Sequence, residues 1–132
     1  MKKEQDLFCT SKSHKMERFL KVCLLFLLYD EIGYGYGLVE QLEYFGFTQN
    51  DLNISTLYRT LRTMEKENLV SSFWEEGTSG PRRRVYEITN YGRKDLEQWI
   101  NILKIRNSMI EKLIQKYEDK FKHERDISNE NF

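Results

Sequence analysis

"NISTLYRTLRTMEKENLV", residues 53–70, decides how the rest of this chain is read. At a helical period of about 100° per residue, Ile54, Leu57, Leu61 and Met64 share one face. Ser55, Arg59, Arg62 and Lys66 share the opposite face, with Thr56 and Tyr58 on the flanks. Asp51 or Asn53 can cap the start of this helix, because a short side-chain oxygen satisfies an orphan backbone N–H. Asn68 can take the left-handed conformation that ends it. The outward side is therefore basic and hydroxylated rather than mixed. A basic helix side is in most proteins merely solvated, so its neighbours must say whether it reads anything.

Downstream, "VSSFWE" (70–75) and "RRVYEIT" (83–89) are β-branched and aromatic-rich, and "EGTSGPR" (76–82) between them holds two glycines and the only proline. That pattern predicts a β-hairpin with a flexible tip, and Thr89 can cap a following helix. Upstream, "EIGYGYGLVEQLEYFGF" (31–47) opens with a glycine-rich turn and continues as a short helix. Leu38, Leu42 and Phe45 fall at helical spacing and Gly46 is the expected stop. Gly37, near the start of this helix, costs about 1 kcal/mol relative to Ala. Only close packing or the close approach of a ligand would account for it.

Residues 14–30 predict a helix that is apolar on every side from Val22 to Tyr29, so it should be buried from more than one direction. One direction is its own domain; another could be a second subunit, with Phe19, Leu24 and Leu27 as candidate contacts. Residues 90–122 predict a long helix. Leu96, Leu103, Ile110 and Tyr117 recur every seven residues, and Ile100, Asn107, Ile114 and Phe121 form a second seam. Such heptads are the signature of helix-on-helix pairing, and Asn107 is a polar seam residue that can fix register at some cost in stability. Residues 1–13 read as a polar lead-in and 123–132 as a frayed tail.

The bulk numbers set bounds. A chain of 132 residues suits one domain with an appended helix, and 32% charged against 39% hydrophobic residues is a globular balance. Formal net charge is zero, so local distribution matters more than the total: Arg82, Arg83, Arg84, Arg93 and Lys94 face only Glu87 within residues 82–94. Cys9 and Cys23 lack metal or CxxC spacing, and Cys23 sits in an apolar run as a small hydrophobe, which fits a reducing cytoplasm. "FLKVCLLFLLY" (19–29) is too short to span a bilayer. His14 and His123 are isolated, and no nucleophile–base pair, P-loop or dinucleotide fingerprint is present, so no metal, cofactor or catalysis is expected.

The fold class expected is mainly α with a small β-hairpin: a winged helix-turn-helix over 14–89 and a C-terminal dimerisation helix over 90–122. In that arrangement the second helix of the pair enters the major groove of DNA. Arg59 and Arg62 would take guanine edges or clamp phosphates, Ser55 and Thr56 would meet phosphates or base edges, and Lys66 extends the basic side. Arg82, Arg83 and Arg84 on the hairpin would track neighbouring backbone, although charged edges also serve simply to discourage strand pairing. Tyr36 and Tyr58 would touch the DNA backbone or else be core aromatics with a wet hydroxyl. The alternative is a non-catalytic protein-interaction module on the same winged fold.

Three stretches make the sequence resemble the PadR family of bacterial transcriptional regulators. "GYGYGL" (33–38) is similar to the family's Gly-Tyr lead into the second helix, with Tyr34 where a His is common. "STLYRTLRTMEKENLV" (55–70) resembles its recognition helix, and "GPRRRVYEIT" (80–89) followed by Gly92 resembles its wing and last-helix start. The resemblance covers residues from about 19 to 120. It implies a cytoplasmic homodimeric repressor on double-stranded DNA, with the last helix packed on the partner's N-terminal helix and core. The dimer contacts would then run through Leu96, Trp99, Ile100, Leu103, Asn107, Ile110, Ile114 and Tyr117. The short last helix is similar to the family's smaller branch. A narrower likeness, to its polyhydroxybutyrate-responsive repressors, rests on "FGF" (45–47), "SSFWE" (71–75) and the wing. In some members a tryptophan on the last helix sandwiches flat aromatic drugs at the dimer centre. Trp99, about one turn earlier, is its counterpart here, which implies a small hydrophobic or aromatic effector.

Overall fold

The computed structural model describes residues 12–48, 52–77 and 80–130, with side chains described from Glu17 to Ile127. Residues 1–11, including Cys9, and the candidate cap Asp51 lie outside the described residues. The elements are α1 (Lys12–Asp30), α2 (Gly35–Leu42), a 3-10 turn (Glu43–Phe45), α3 (Ile54–Lys66), β1 (Val70–Glu75), β2 (Arg83–Ile88) and α4 (Asn90–Glu130). This is the mainly helical winged helix-turn-helix architecture that the sequence predicts. No helix among the described residues is long and apolar enough to cross a membrane.

The first compact unit ends at Glu97, within α4. Its core is built from α1 (Leu20, Val22, Cys23, Leu24, Leu25, Leu28), α2 (Leu38, Leu42), α3 (Leu57, Leu61, Met64) and the hairpin (Val70, Val85, Tyr86). Val85 and Tyr86 are adjacent, so β2 is buried on both of its faces, and each fully buried Leu-sized side chain contributes about 1.5–3 kcal/mol. Burial pushes the Cys23 thiol up to about 12, so it stays protonated and packs as a hydrophobe. Leu96, on the first turns of α4, is also buried in this unit. Leu24, with no exposed surface, and Leu96, 6% exposed, are therefore core residues of the first unit.

The strands pair antiparallel, Val70 with Ile88 through Glu75 with Arg83. A third segment joins them, because Gly33 and Tyr86 exchange both backbone hydrogen bonds, at 3.0 and 2.8 Å. The turn before α2 is thus stitched to the hairpin. Gly92 allows a comparable approach, since a Cβ there would collide with the Leu69 carbonyl oxygen. Thr89 caps α4 as expected, its hydroxyl accepting from the Gly92 N–H at 2.9 Å.

The second unit starts at Gln98 and is the remainder of α4. Helix continues to Glu130 rather than stopping at 122, so the segment expected to be frayed from 123 is helical to that point. Ile100, Ile110, Ile114, Tyr117 and Phe121 of the heptad seams are exposed. So is a second apolar stripe that the heptads do not contain: Ile102, Ile105, Met109 and Leu113.

Candidate nucleic-acid interface

Helix α3 is fixed at both ends by local hydrogen bonds. The Asn53 side chain accepts from the Thr56 N–H at 2.8 Å, which identifies Asn53 as the cap. At the other end Asn68 adopts φ 65°, with Leu69 N–H donating to Met64 O at 2.9 Å and Asn68 N–H to Glu65 O at 3.0 Å. That pair of bonds is a Schellman stop, closed by the buried Met64 and Leu69 side chains. Thr60 is buried, and its hydroxyl donates to the Thr56 carbonyl at 2.9 Å. With Leu57, Leu61 and Met64 wholly buried, the rotation of α3 about its axis is determined.

That rotation leaves Ser55, Arg59, Arg62 and Lys66 exposed together, with Thr56 and Tyr58 half-buried at the flanks. Among the described residues none of Arg59, Arg62 and Lys66 engages a carboxylate. Tyr36 projects from the first turn of α2 and is 74% exposed. Tyr58 instead lies over Gly35, where a Cβ would come within 2.5 Å of its hydroxyl oxygen and 2.9 Å of the Ile54 side chain. Gly35 is the glycine that close helix packing requires. At Gly37 an added Cβ would meet nothing, so packing within the subunit does not explain that residue.

The three wing arginines, treated alike in the sequence, separate here. Arg84 is committed to its own subunit: its Nη2 donates to Glu65 Oε1 at 3.3 Å and its Nε to Ser72 Oγ at 3.1 Å. Ser72 in turn donates to Glu65 Oε2 at 2.8 Å. These bonds tie β1 and β2 to α3 and make Arg84 a brace within its own subunit. Arg83 is exposed, stacks 4.4 Å above the Tyr34 ring and lies 3.8 Å from Glu75. Arg82 is exposed and meets no carboxylate among the described residues. Glu65, Ser72, Tyr34 and Trp74 also contribute to this surface, through contacts that sequence spacing does not reveal. Strand alternation places Ser72, Trp74 and Arg84 on one side of the hairpin, but only the register across the 76–82 turn shows which partners meet.

Beneath this surface Tyr86 is fully buried, and burial pushes its phenol above the usual range. Its hydroxyl has no hydrogen-bond partner among the described residues. On α1, Phe19 stacks on Phe47 and Phe26 meets Phe45 edge-on, yet Phe19, Phe26 and Tyr29 remain exposed; Leu27 is half-buried. In the second unit Trp99 and Leu103 are half-buried, and Asn107 is exposed along with the seam residues after it.

Residues 24–98 match the model of the transcriptional regulator PadR-like family. A PadR-like transcription factor from Bacteroides fragilis is 26% identical, with 78% of this chain and 97% of that one covered and a TM-score of 0.67. A PadR-like transcriptional regulator from Bacillus cereus is 29% identical, over 73% of this chain and 91% of that one, with a TM-score of 0.64. The Bacillus subtilis PadR structure in complex with operator DNA shares the fold at 20% identity and a TM-score of 0.56, over 62% of this chain and 46% of that one.

Proposed function

This chain belongs to the PadR-like family of transcriptional regulators, and from that premise we propose that it binds double-stranded DNA as a homodimeric repressor through α3 and the wing. The observation that carries the reading is the contrast in charge pairing. Arg59, Arg62 and Lys66 stand exposed and without a carboxylate among the described residues, whereas Arg84 is spent on Glu65. In a chain whose formal net charge is zero, cations left unpaired on one helix side are available to phosphates and guanine edges. Ser55 and Thr56 at the α3 start, Tyr36 and Tyr58 beside it, and Arg82 and Arg83 on the wing complete the proposed contact. Two-fold symmetry then calls for a pseudo-palindromic operator with half-sites about 10 bp, or a multiple of that, apart.

Doubling is assigned to the exposed apolar side chains of α4 (Ile100, Ile110, Ile114, Tyr117), with Trp99, Leu103 and Asn107, and to Phe19 and Leu27 on α1. The cytoplasm, where the chromosome lies, is the proposed location. Release would follow from a small hydrophobic or aromatic effector at the dimer core near Trp99, acting by binding one spacing of the two recognition helices better than the other. No catalytic step is proposed.

The test is binding against salt, using duplexes selected from fragments of the source genome. A steep linear fall of log K with log salt is expected. A flat line would favour the protein-interaction reading and sink this one. Arg59→Ala should cost about 1–3 kcal/mol and relax preference at one operator position if Arg59 reads a base. A uniform loss across sequences would make it a phosphate anchor.

A further inference from the structure

Trp74 is the last but one residue of β1, beside the wing turn, and is 53% exposed, an unusual place to leave a large apolar ring. It pairs across the strands with Arg84, and the two share the α3-facing side of the hairpin with Ser72. The guanidinium carbon of Arg84 lies 5.4 Å from the Trp74 ring centroid, and that of Arg82 lies 5.5 Å from it. One ring thus contacts both cations, each within the range at which the ring quadrupole attracts a positive charge. Arg84 is held by Glu65 of α3 and by Ser72 of β1. A continuous set of contacts therefore runs from α3 to the end of the wing turn: Glu65, Arg84, Trp74, Arg82.

We propose that Trp74 is a positioning residue for DNA binding, its ring holding the Arg82 guanidinium in place on the α3-facing side of the hairpin while Arg84 and Glu65 fix that ring relative to α3. The inference rests on the DNA-binding reading above. Arg82 adjoins a turn that contains Gly77 and Gly80, and a long side chain there would sample many rotamers. A stacked guanidinium has lost most of that freedom before DNA arrives, so less entropy is lost on contact with phosphate. Trp74 need not touch the nucleic acid to raise affinity.

A double-mutant cycle separates positioning from simple structural support. Affinity and salt slope are measured by anisotropy on a fluorescein-labelled duplex recovered by selection from the source genome. Trp74→Ala should weaken binding about two- to fivefold, the equivalent of one exposed cation–π contact, and lower the salt slope toward that of Arg82→Ala. Trp74→Phe should recover most of the loss. Trp74→Leu, which keeps apolar cover but presents no π face, should behave as Trp74→Ala even if the alanine variant melts early. In an Arg82→Ala background, Trp74→Leu should cost nothing further. An unchanged affinity for Trp74→Leu, or a loss of the same size in both backgrounds, overturns the inference while a salt-dependent wild type preserves the DNA reading. A wild type with no affinity for duplex at low salt overturns both.

Discussion

Helices α3 and α4 obey the same amphipathic rule with opposite outcomes. On α3 the apolar residues Leu57, Leu61 and Met64 are wholly buried in their own unit, and what remains outside is polar and basic. On α4 beyond Gln98 the apolar residues are themselves outside, with Ile105, Met109 and Leu113 each more than 60% exposed. A helix whose apolar side is satisfied within the chain is free to show a reading face. A helix that displays two apolar stripes over this length is incomplete alone, since contiguous exposed apolar surface marks an interaction site. That contrast is why DNA contact is proposed for α3 and association for α4.

The strongest way to break the α3 half is Leu61→Ala. Removing a wholly buried leucine should destabilise the protein by about 2–5 kcal/mol, read as a fall in the urea midpoint. A change below about 0.5 kcal/mol, as at a surface site, would mean that α3 is not docked as described. For the α4 half, Ile114→Lys should raise the dimer dissociation constant by about one to two orders of magnitude, from a lost apolar contact of about 1.5–3 kcal/mol. Sedimentation velocity over a concentration series measures it, and a wild type already monomeric at micromolar concentration would remove the basis for calling α4 the dimer helix.

The smallest effects sharpen the picture beside α3. Gly35→Ala would drive a Cβ against the Tyr58 hydroxyl and the Ile54 side chain, so it should destabilise and move α3. Gly37→Ala fills open space on a helix and should stabilise by about 0.4–1 kcal/mol, seen as a higher melting temperature. If Gly37 exists for the close approach of a DNA backbone, the same variant should bind duplex less tightly. Stabilisation with unchanged affinity would dismiss that role.

Much of this was legible in one dimension. The helical period fixed the sides of α3, since Ile54, Leu57, Leu61 and Met64 could share a face in no other way. Asn53, Asn68, Thr89 and Gly46 act at helix ends because capping is a local interaction, satisfied within a few residues. The hairpin strands were readable from β-branched and aromatic content on either side of a Gly/Pro turn. Other features depended on residues far apart in sequence. Leu24 and Leu27 are near neighbours in one apolar run, and only the packing of the first unit decides that Leu24 is wholly buried while Leu27 is half-exposed.

By itself the sequence determined the element order, the outward side of α3 and the heptads of α4, because all three are periodic or local. The tertiary structure alone decided which arginine is free. Arg82, Arg83 and Arg84 are chemically identical neighbours, and strand register turns one toward Glu65 and Ser72, another onto Tyr34, and leaves the third on Trp74. Which partners a guanidinium meets, and how closely, depends on where the chain folds back.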